Sequence, residues 1–233
     1  MHSSRKKEFN PLIGSCSARD IPIVLEERAK LIQDRFYVKY YDSWIAYPRL
    51  RSFFLDHTEY THLILAPDDL IVKRSHMKQL CNDILESDYP VISGMCNVDT
   101  KNLKDFVAVS KNLPLTRYLE NQRHYDWYSR KEILDLAAKM GPIVQVPFAG
   151  TPLMAIRRDI IEKIDFEPDG NHNENPGNGH SQDLMFCNNC HKNNIPIMVD
   201  TRIDMMHLRY GGELMLGKLD PMLIYVCNSS RRF

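Results

Sequence analysis

The stretch THLILAPDDLIV, Thr61 to Val72, decides how this chain is read. An apolar run of the length of a buried strand ends at Pro67, two adjacent carboxylates follow, and apolar residues resume at Leu70. Two readings of Asp68 and Asp69 stand side by side. Pro and Asp form turns, and a helix-like stretch begins near Ser75, so the pair suits a turn followed by a helix cap. The pair also suits a hard-cation site at the carboxyl end of a strand, where open α/β sheets bind their ligands.

Outward from this stretch, strand-like and helix-like segments alternate. Phe9 to Ser17 reads as a strand running into the loop GSCSARD, and Asp20 and Pro22 read as the start of a helix, PIVLEERAKLIQDRF. FYVKYYD is the next strand, WIAYPRLRSFFLDH a helix, and HLILA the strand that leads to the Asp pair. In SHMKQLCNDILES, Met77, Leu80, Cys81, Ile84 and Leu85 form one helical stripe. YPVISGM follows as a strand in which Gly94 marks a close approach of backbone and ligand. This rhythm predicts an α/β fold with a mostly parallel central sheet and helices on both faces.

The second half interrupts the rhythm. Cys96 to Lys139 holds an aromatic cluster, RHYDWYSRKE, and an amphipathic helix, KEILDLAAKM. GPIVQVPFAGTPLMAIRRDIIEKIDF reads as strand, glycine turn, strand and helix, a smaller β element beside the main sheet. EPDGNHNENPGNGHS is loop-like. QDLMFCNNCHKN is a helix, IPIMVD a buried strand, and RIDMMHLRYGGELMLGKLDP closes the pattern. No G-x-G-x-x-G follows the first strand and no Walker A motif occurs, which argues against a Rossmann dinucleotide domain.

The composition, 43% hydrophobic and 26% charged, belongs to a globular chain, and 233 residues suffice for one α/β domain. Thirty basic and thirty acidic residues leave zero formal charge, so no global field recruits nucleic acid or an anionic membrane. After the basic MHSSRKKEF, the apolar run PLI is too short for a signal core or a membrane span, so a cytoplasmic protein without an integral membrane segment is expected. Six cysteines are too sparse for a disulfide scaffold. CNNCH, Cys187 to His191, matches a haem-attachment pattern and half a zinc site, but on a helix Cys187 and Cys190 share a face with Leu184 and Phe186, which suits core packing.

Taken in order, APDD, VISGM, FAGTPLMAIRRDIIEKI and SQDLMFCNNCHKNNIPIMVDTRIDMMHL resemble the GT-A glycosyltransferases, especially the inverting family-2-like enzymes, over about Tyr60 to Leu208. The resemblance implies a single domain over residues 1–233. A nucleotide-sugar-binding half would lie at about 9–95, an acceptor-side half at about 96–208, and a lid or tail at 209–233. APDD sits where that family carries D-x-D, with Asp69 matching the metal-binding second Asp, Asp68 the middle position and Pro67 the first Asp. SQDLMF resembles the family's E-D pair, with Gln182 replacing Glu and Asp183 the candidate base, and DMMHL places His207 at a late metal ligand.

Implied with it are a nucleotide-sugar donor and a glycan, lipid-linked or protein hydroxyl acceptor. Asp69 and His207 form a mixed oxygen and nitrogen set that suits Mn²⁺ better than Ca²⁺ and also admits Mg²⁺. For the donor, Ser15, Ser17 and Arg19 line the first loop, Asp42 ends a strand, and Arg49 and Arg51 follow on a helix that can reach the diphosphate. Arg209, Tyr210 and Lys218 lie in a lid with paired glycines as hinge, and Tyr125 and Trp127 offer rings to a sugar. Each also has a plain reading as solvated surface or packing. Two rival functions remain: a metal-dependent phosphohydrolase, and a degenerate GT-A module that binds nucleotide without turnover.

Overall fold

The computed structural model describes residues 9–17, 31, 34–39, 43–67, 69–98, 105–113, 125–166 and 182–207. Strand β1 (Pro11–Ser17) pairs in parallel with β2 (Asp34–Lys39) on one side and β3 (His62–Leu65) on the other. β10 (Met154–Arg157) lies antiparallel between β3 and β5 (Val91–Cys96), and β11 (Ile197–His207) runs parallel to β5. The outer side of β11 is shared by β8 (Ile143–Val146), along its first residues, and by β4 (Leu70–Ile71), along its last. A second, antiparallel sheet holds β6 (Phe106–Ser110) between β7 (Trp127–Ser129) and β9 (Phe148–Ala149). The helices are α1 (Ser43–Asp56), α2 (Arg74–Ser87), α3 (Arg130–Met140), α4 (Arg158–Lys163) and α5 (Gln182–Lys192).

The fold is α/β with a smaller β element, and its main sheet is mixed. β1, β2, β3, β5 and β11 share one direction, while β10, β8 and β4 oppose it. The reversal at β10 has a local cause. The chain reaches β10 from β9 through residues 150–153, and Gly94 N–H donates to Leu153 C=O at 3.2 Å, so the link enters at the carboxyl edge of β5. A parallel entry requires a crossover of a dozen or more residues.

Period-two alternation divides the core between the faces. Leu12, Leu63, Leu65, Val91, Met154 and Ile156 point toward α1, α4 and α5, whereas Ile13, Ile64, Ile92 and Ala155 point toward α2. Burial is complete or nearly so on both sides, which is why these strands read as continuous apolar runs. No described helix is long and apolar enough to cross a membrane.

Helix ends are closed by side chains. Ser129 and Glu132 form a reciprocal capping box at the start of α3, and Gly141, with φ 105°, supplies the positive dihedral that ends it. Arg158 donates to the carbonyls of Phe54, His57 and Tyr60 at the end of α1, while Arg51 on α1 donates to those of Ile161, Glu162 and Ile164 at the end of α4. Each helix thus caps the other's orphan carbonyls. In α2 the expected stripe holds at Met77, Leu80 and Ile84, but Leu85 is 64% exposed and Asp83 is buried instead.

Asp83 is buried because it has partners on β11. Arg202 Nη2 donates to its Oδ1 at 2.7 Å, and Arg202 Nε donates to Asp200 at 2.9 Å, so one guanidinium serves two buried carboxyls. Asp83 Oδ2 is buried without a hydrogen-bonding partner. Burial, and then the neighbouring Asp200, push Asp83 up to about 7 against the pull of Gln79 and Arg202. A carboxyl raised in the folded state costs stability above that pH, and the cost fades as pH falls toward its unfolded value near 4. Asp83→Asn, which imitates the protonated acid, is therefore expected to stabilise the protein above pH 7 by about 1–3 kcal/mol. Urea melts at pH 8 and pH 4.5 check this: the gain should appear at the first and vanish at the second.

Gly94 lies within β5 beside an irregularity of β11, where the register shifts between Val199 and Asp204. A Cβ on Gly94 would fall 2.6 Å from Ile203 Cγ2 and 2.9 Å from the Ile203 carbonyl oxygen. The missing side chain makes room for β11. Gly94→Ala is expected to cost about 3 kcal/mol, since a backbone atom cannot rotate away. Chemical denaturation reads that loss directly.

Candidate functional site

The five co-directional strands end on one edge, and the segment that follows β3 is drawn across it. β3 and β4 flank β10, β5 and β11, so Leu65 and Leu70 stand four inter-strand steps apart in the sheet order. Leu65 to Leu70 spans at most about 17 Å when extended, less than four flat spacings of about 4.8 Å. Ala66 N–H donates to Gly14 C=O at 2.9 Å, and Ser15 Oγ donates to Ala66 C=O at 2.6 Å, tying the start of this segment to β1. Ser15 is almost fully buried, so its hydroxyl serves as an anchor of the connector.

Asp69 ends that connector, and β4 directly after it pairs His207 with Leu70. The result is the contact on which the site is built: His207 Nε2 lies 3.3 Å from Asp69 Oδ2. His207 Nδ1 faces the Asn97 main-chain carbonyl at 3.1 Å, an arrangement that fixes the ring and directs Nε2 at the carboxylate. Burial opposes charge on the ring, but Asp69 and Cys96 beside it prevail and push His207 up to about 11. Without a cation the ring is thus protonated and ion-paired with Asp69, and it would have to give up that proton to become a ligand. Adjacent ligands of an octahedral cation with bonds of about 2.1 Å lie about 3.0 Å apart, close to the 3.3 Å separation here. An oxygen and an imidazole nitrogen fit Mn²⁺ or Mg²⁺, with the remaining positions left for water and phosphate oxygens. Among the described residues no group of three or more His, Cys, Asp and Glu gathers as a closed metal cage.

Asp183 lies in the first turn of α5. Its Oδ1 accepts from the Leu184 N–H at 2.9 Å, and its Oδ2 lies 3.7 Å from where a Cβ on Gly150 would stand. Gly150 belongs to the link that enters over β5, and Ser93 Oγ donates to its carbonyl at 3.4 Å. The structure thus sets Asp183 against Gly150, in the link between β9 and β10. Gln182 beside it is buried, with Nε2 lacking a hydrogen-bonding partner.

Other candidates have different surroundings. Arg51 is engaged at the end of α4, and Gly94 faces Ile203. Tyr125 and Trp127 stack at 4.2 Å and both lie against buried Phe148. Cys187 and Cys190 are fully buried beside Leu184 and Phe186, Cys187 Sγ donates to Ala149 C=O, and burial raises both thiols. The helical-packing reading of CNNCH is the one observed. Arg19, Asp42, Asp68, Lys218 and the lid lie outside the described residues, as do the Asn/Gly-rich loop and most of the expected first helix, whose last residues Asp34, Arg35 and Phe36 belong instead to β2. Two residues that sequence reasoning passed over, Asn97 and Arg130, border the site; nothing in their local pattern announces partners so far along the chain.

No protein-family model matches the chain, and no curated protein does. Among solved structures, A197 from STIV aligns with a TM-score of 0.59 and 15% identity, over 91% of this chain and 96% of that one. CMP:2-keto-3-deoxy-manno-octonic acid synthetase complexed with CTP aligns with a TM-score of 0.49 and 11% identity, over 95% and 98% of the two chains. The inositol-1-phosphate CTP transferase from T. maritima aligns with a TM-score of 0.43 and 10% identity, over 96% and 97%. The likeness to A197 is one of fold: nearly the whole chain follows the same α/β course.

Proposed function

We propose that this protein transfers a sugar from a nucleotide-diphosphate sugar to a hydroxyl acceptor, with a divalent cation and with inversion at the sugar carbon. The contact between Asp69 and His207 carries the reading, because it joins a carboxylate and an imidazole from distant segments, side chains that suit a divalent cation. When bound there, Mn²⁺ or Mg²⁺ would neutralise charge on the departing diphosphate oxygens. Asp69 and His207 hold that position, and Asn97 keeps the imidazole turned toward it.

Asp183 takes the proton of the acceptor hydroxyl as its oxygen bonds to the sugar carbon and the bond from that carbon to the diphosphate oxygen breaks. The products are the glycosylated acceptor and the nucleoside diphosphate, with the proton on Asp183. The acceptor is a hydroxyl of a glycan, a lipid-linked sugar or a protein.

The test is incubation with nucleotide sugars, Mn²⁺ and a panel of glycan acceptors. Nucleoside diphosphate should appear in step with glycosylated product, and the product anomer read by NMR should be opposite to that of the donor. Inorganic phosphate released without acceptor would instead assign a phosphohydrolase. Tight nucleotide binding with no product from any donor would leave a binding module.

A further inference from the structure

The ends of β5 and β11 must be held together for His207 to meet both Asn97 and Asp69, yet the ladder between them shifts register just upstream, between Val199 and Asp204. Pairing resumes only for Asp204↔Met95 and Met205↔Cys96, so a two-pair ladder carries the strand ends to Asn97 and His207. Arg130 spans this junction. Its Nη1 donates to the carboxylate of Asp204, three residues before His207 on β11, and its Nη2 donates to the side-chain oxygen of Asn97. The main-chain carbonyl of the same Asn97 faces His207 Nδ1.

Arg130 is itself anchored. It is the first residue of α3, its N–H donates to Asp105 C=O at 2.7 Å, and the Ser129–Glu132 capping box fixes the helix start. Asn97 is buried, and its backbone is held from the other side by a bridge to Val107 and by Val98 N–H donating to Phe106 C=O at 3.0 Å. A guanidinium has donors only and stays charged, so it is no cation ligand. Its planar fork can engage two acceptors in fixed geometry, which a lysine cannot reproduce.

We infer that Arg130 is a positioning residue for the cation site: by bridging Asp204 and Asn97 it sets the orientation of His207, and so governs cation affinity without touching the cation. The inference rests on the reading of Asp69 and His207 as cation ligands. Outer partners that orient a ligating histidine typically change metal affinity by about 10–100-fold when removed.

The experiment is titration of the full chain with Mn²⁺ alone, following free Mn²⁺ by electron paramagnetic resonance, with thermal melting of every variant. Arg130→Met should weaken Mn²⁺ binding by about 10–100-fold, and Arg130→Lys should recover only part of it. In the metal-free protein the His207 imidazole nitrogen resonances should move in Arg130→Met while the melting temperature holds, a signature that a general structural role would not produce. Asp204→Asn, which loosens the other end of the bridge, serves if Arg130→Met melts early, and should weaken Mn²⁺ in the same way. Unchanged Mn²⁺ affinity in a folded Arg130→Met, or His207 imidazole resonances that do not move in it, would overturn the inference. Absence of Mn²⁺ binding in the unaltered protein would overturn the ligand reading itself, and this inference with it.

Discussion

Asp69→Asn and His207→Ala should each reduce metal-dependent nucleotide binding to the level seen in chelator, while the protein still folds. The loss should exceed the 10–100-fold typical of outer-shell changes, because each substitution removes one of the two proposed ligands among the described residues. Both side chains are partly exposed, 23% for Asp69 and 15% for His207, so neither replacement empties the core. Asn also keeps the shape of Asp69 at the turn. Calorimetric titration with nucleoside diphosphate, with Mn²⁺ and then with chelator, checks the expectation. Metal-dependent binding of ordinary strength in either variant would remove that residue from the ligand set.

Asp183→Asn should do the opposite and spare binding. Its Oδ1 accepts from Leu184 N–H, and an amide oxygen can do the same, so the start of α5 is preserved. What the amide cannot do is take the acceptor's proton. General-base assistance is worth about 10²–10⁴ in rate, so kcat should fall by that factor while nucleotide affinity holds. Misfolding would lower both together, which makes the pair of variants more decisive than either alone. Transfer at the ordinary rate, with donor and acceptor saturating and chemistry rate-limiting, would leave Asp183 as a helix-start residue stabilised by the dipole.

Much of this architecture was legible because strand and helix periods are local. The burial of both faces of β3, β5 and β10, the helix across Gln182–Lys192 and the inward placement of Cys187 and Cys190 all follow from spacing along a few turns of chain. The direction of β10 was not, since it depends on how short a link reaches it. Gly94 shows the limit of a residue-type argument: glycine marks a close approach, and here the approaching backbone is β11. Arg51 likewise reads as a phosphate-binding cation by composition, whereas its donors close the end of α4. IPIMVD and RIDMMH read as separate pieces but form one strand, with the break expressed as a register shift. Asp69 and His207 were legible as types suited to a cation. Their meeting at 3.3 Å depends on the two-residue β4, too short to signal itself.

The claim at the centre is that Asp69 and His207 hold a divalent cation against a nucleoside diphosphate. The most direct measurement is thermal melting of the protein with each common nucleoside diphosphate, in Mn²⁺ and in chelator, repeated on Asp69→Asn. A ligand at 100 times its Kd stabilises the native state by about 2.7 kcal/mol, which for a chain of this size is about 5–10 °C in Tm. One nucleotide should produce that rise in Mn²⁺ only, and Asp69→Asn should lose it. An equal rise in chelator, or no rise with any nucleotide, would contradict the account.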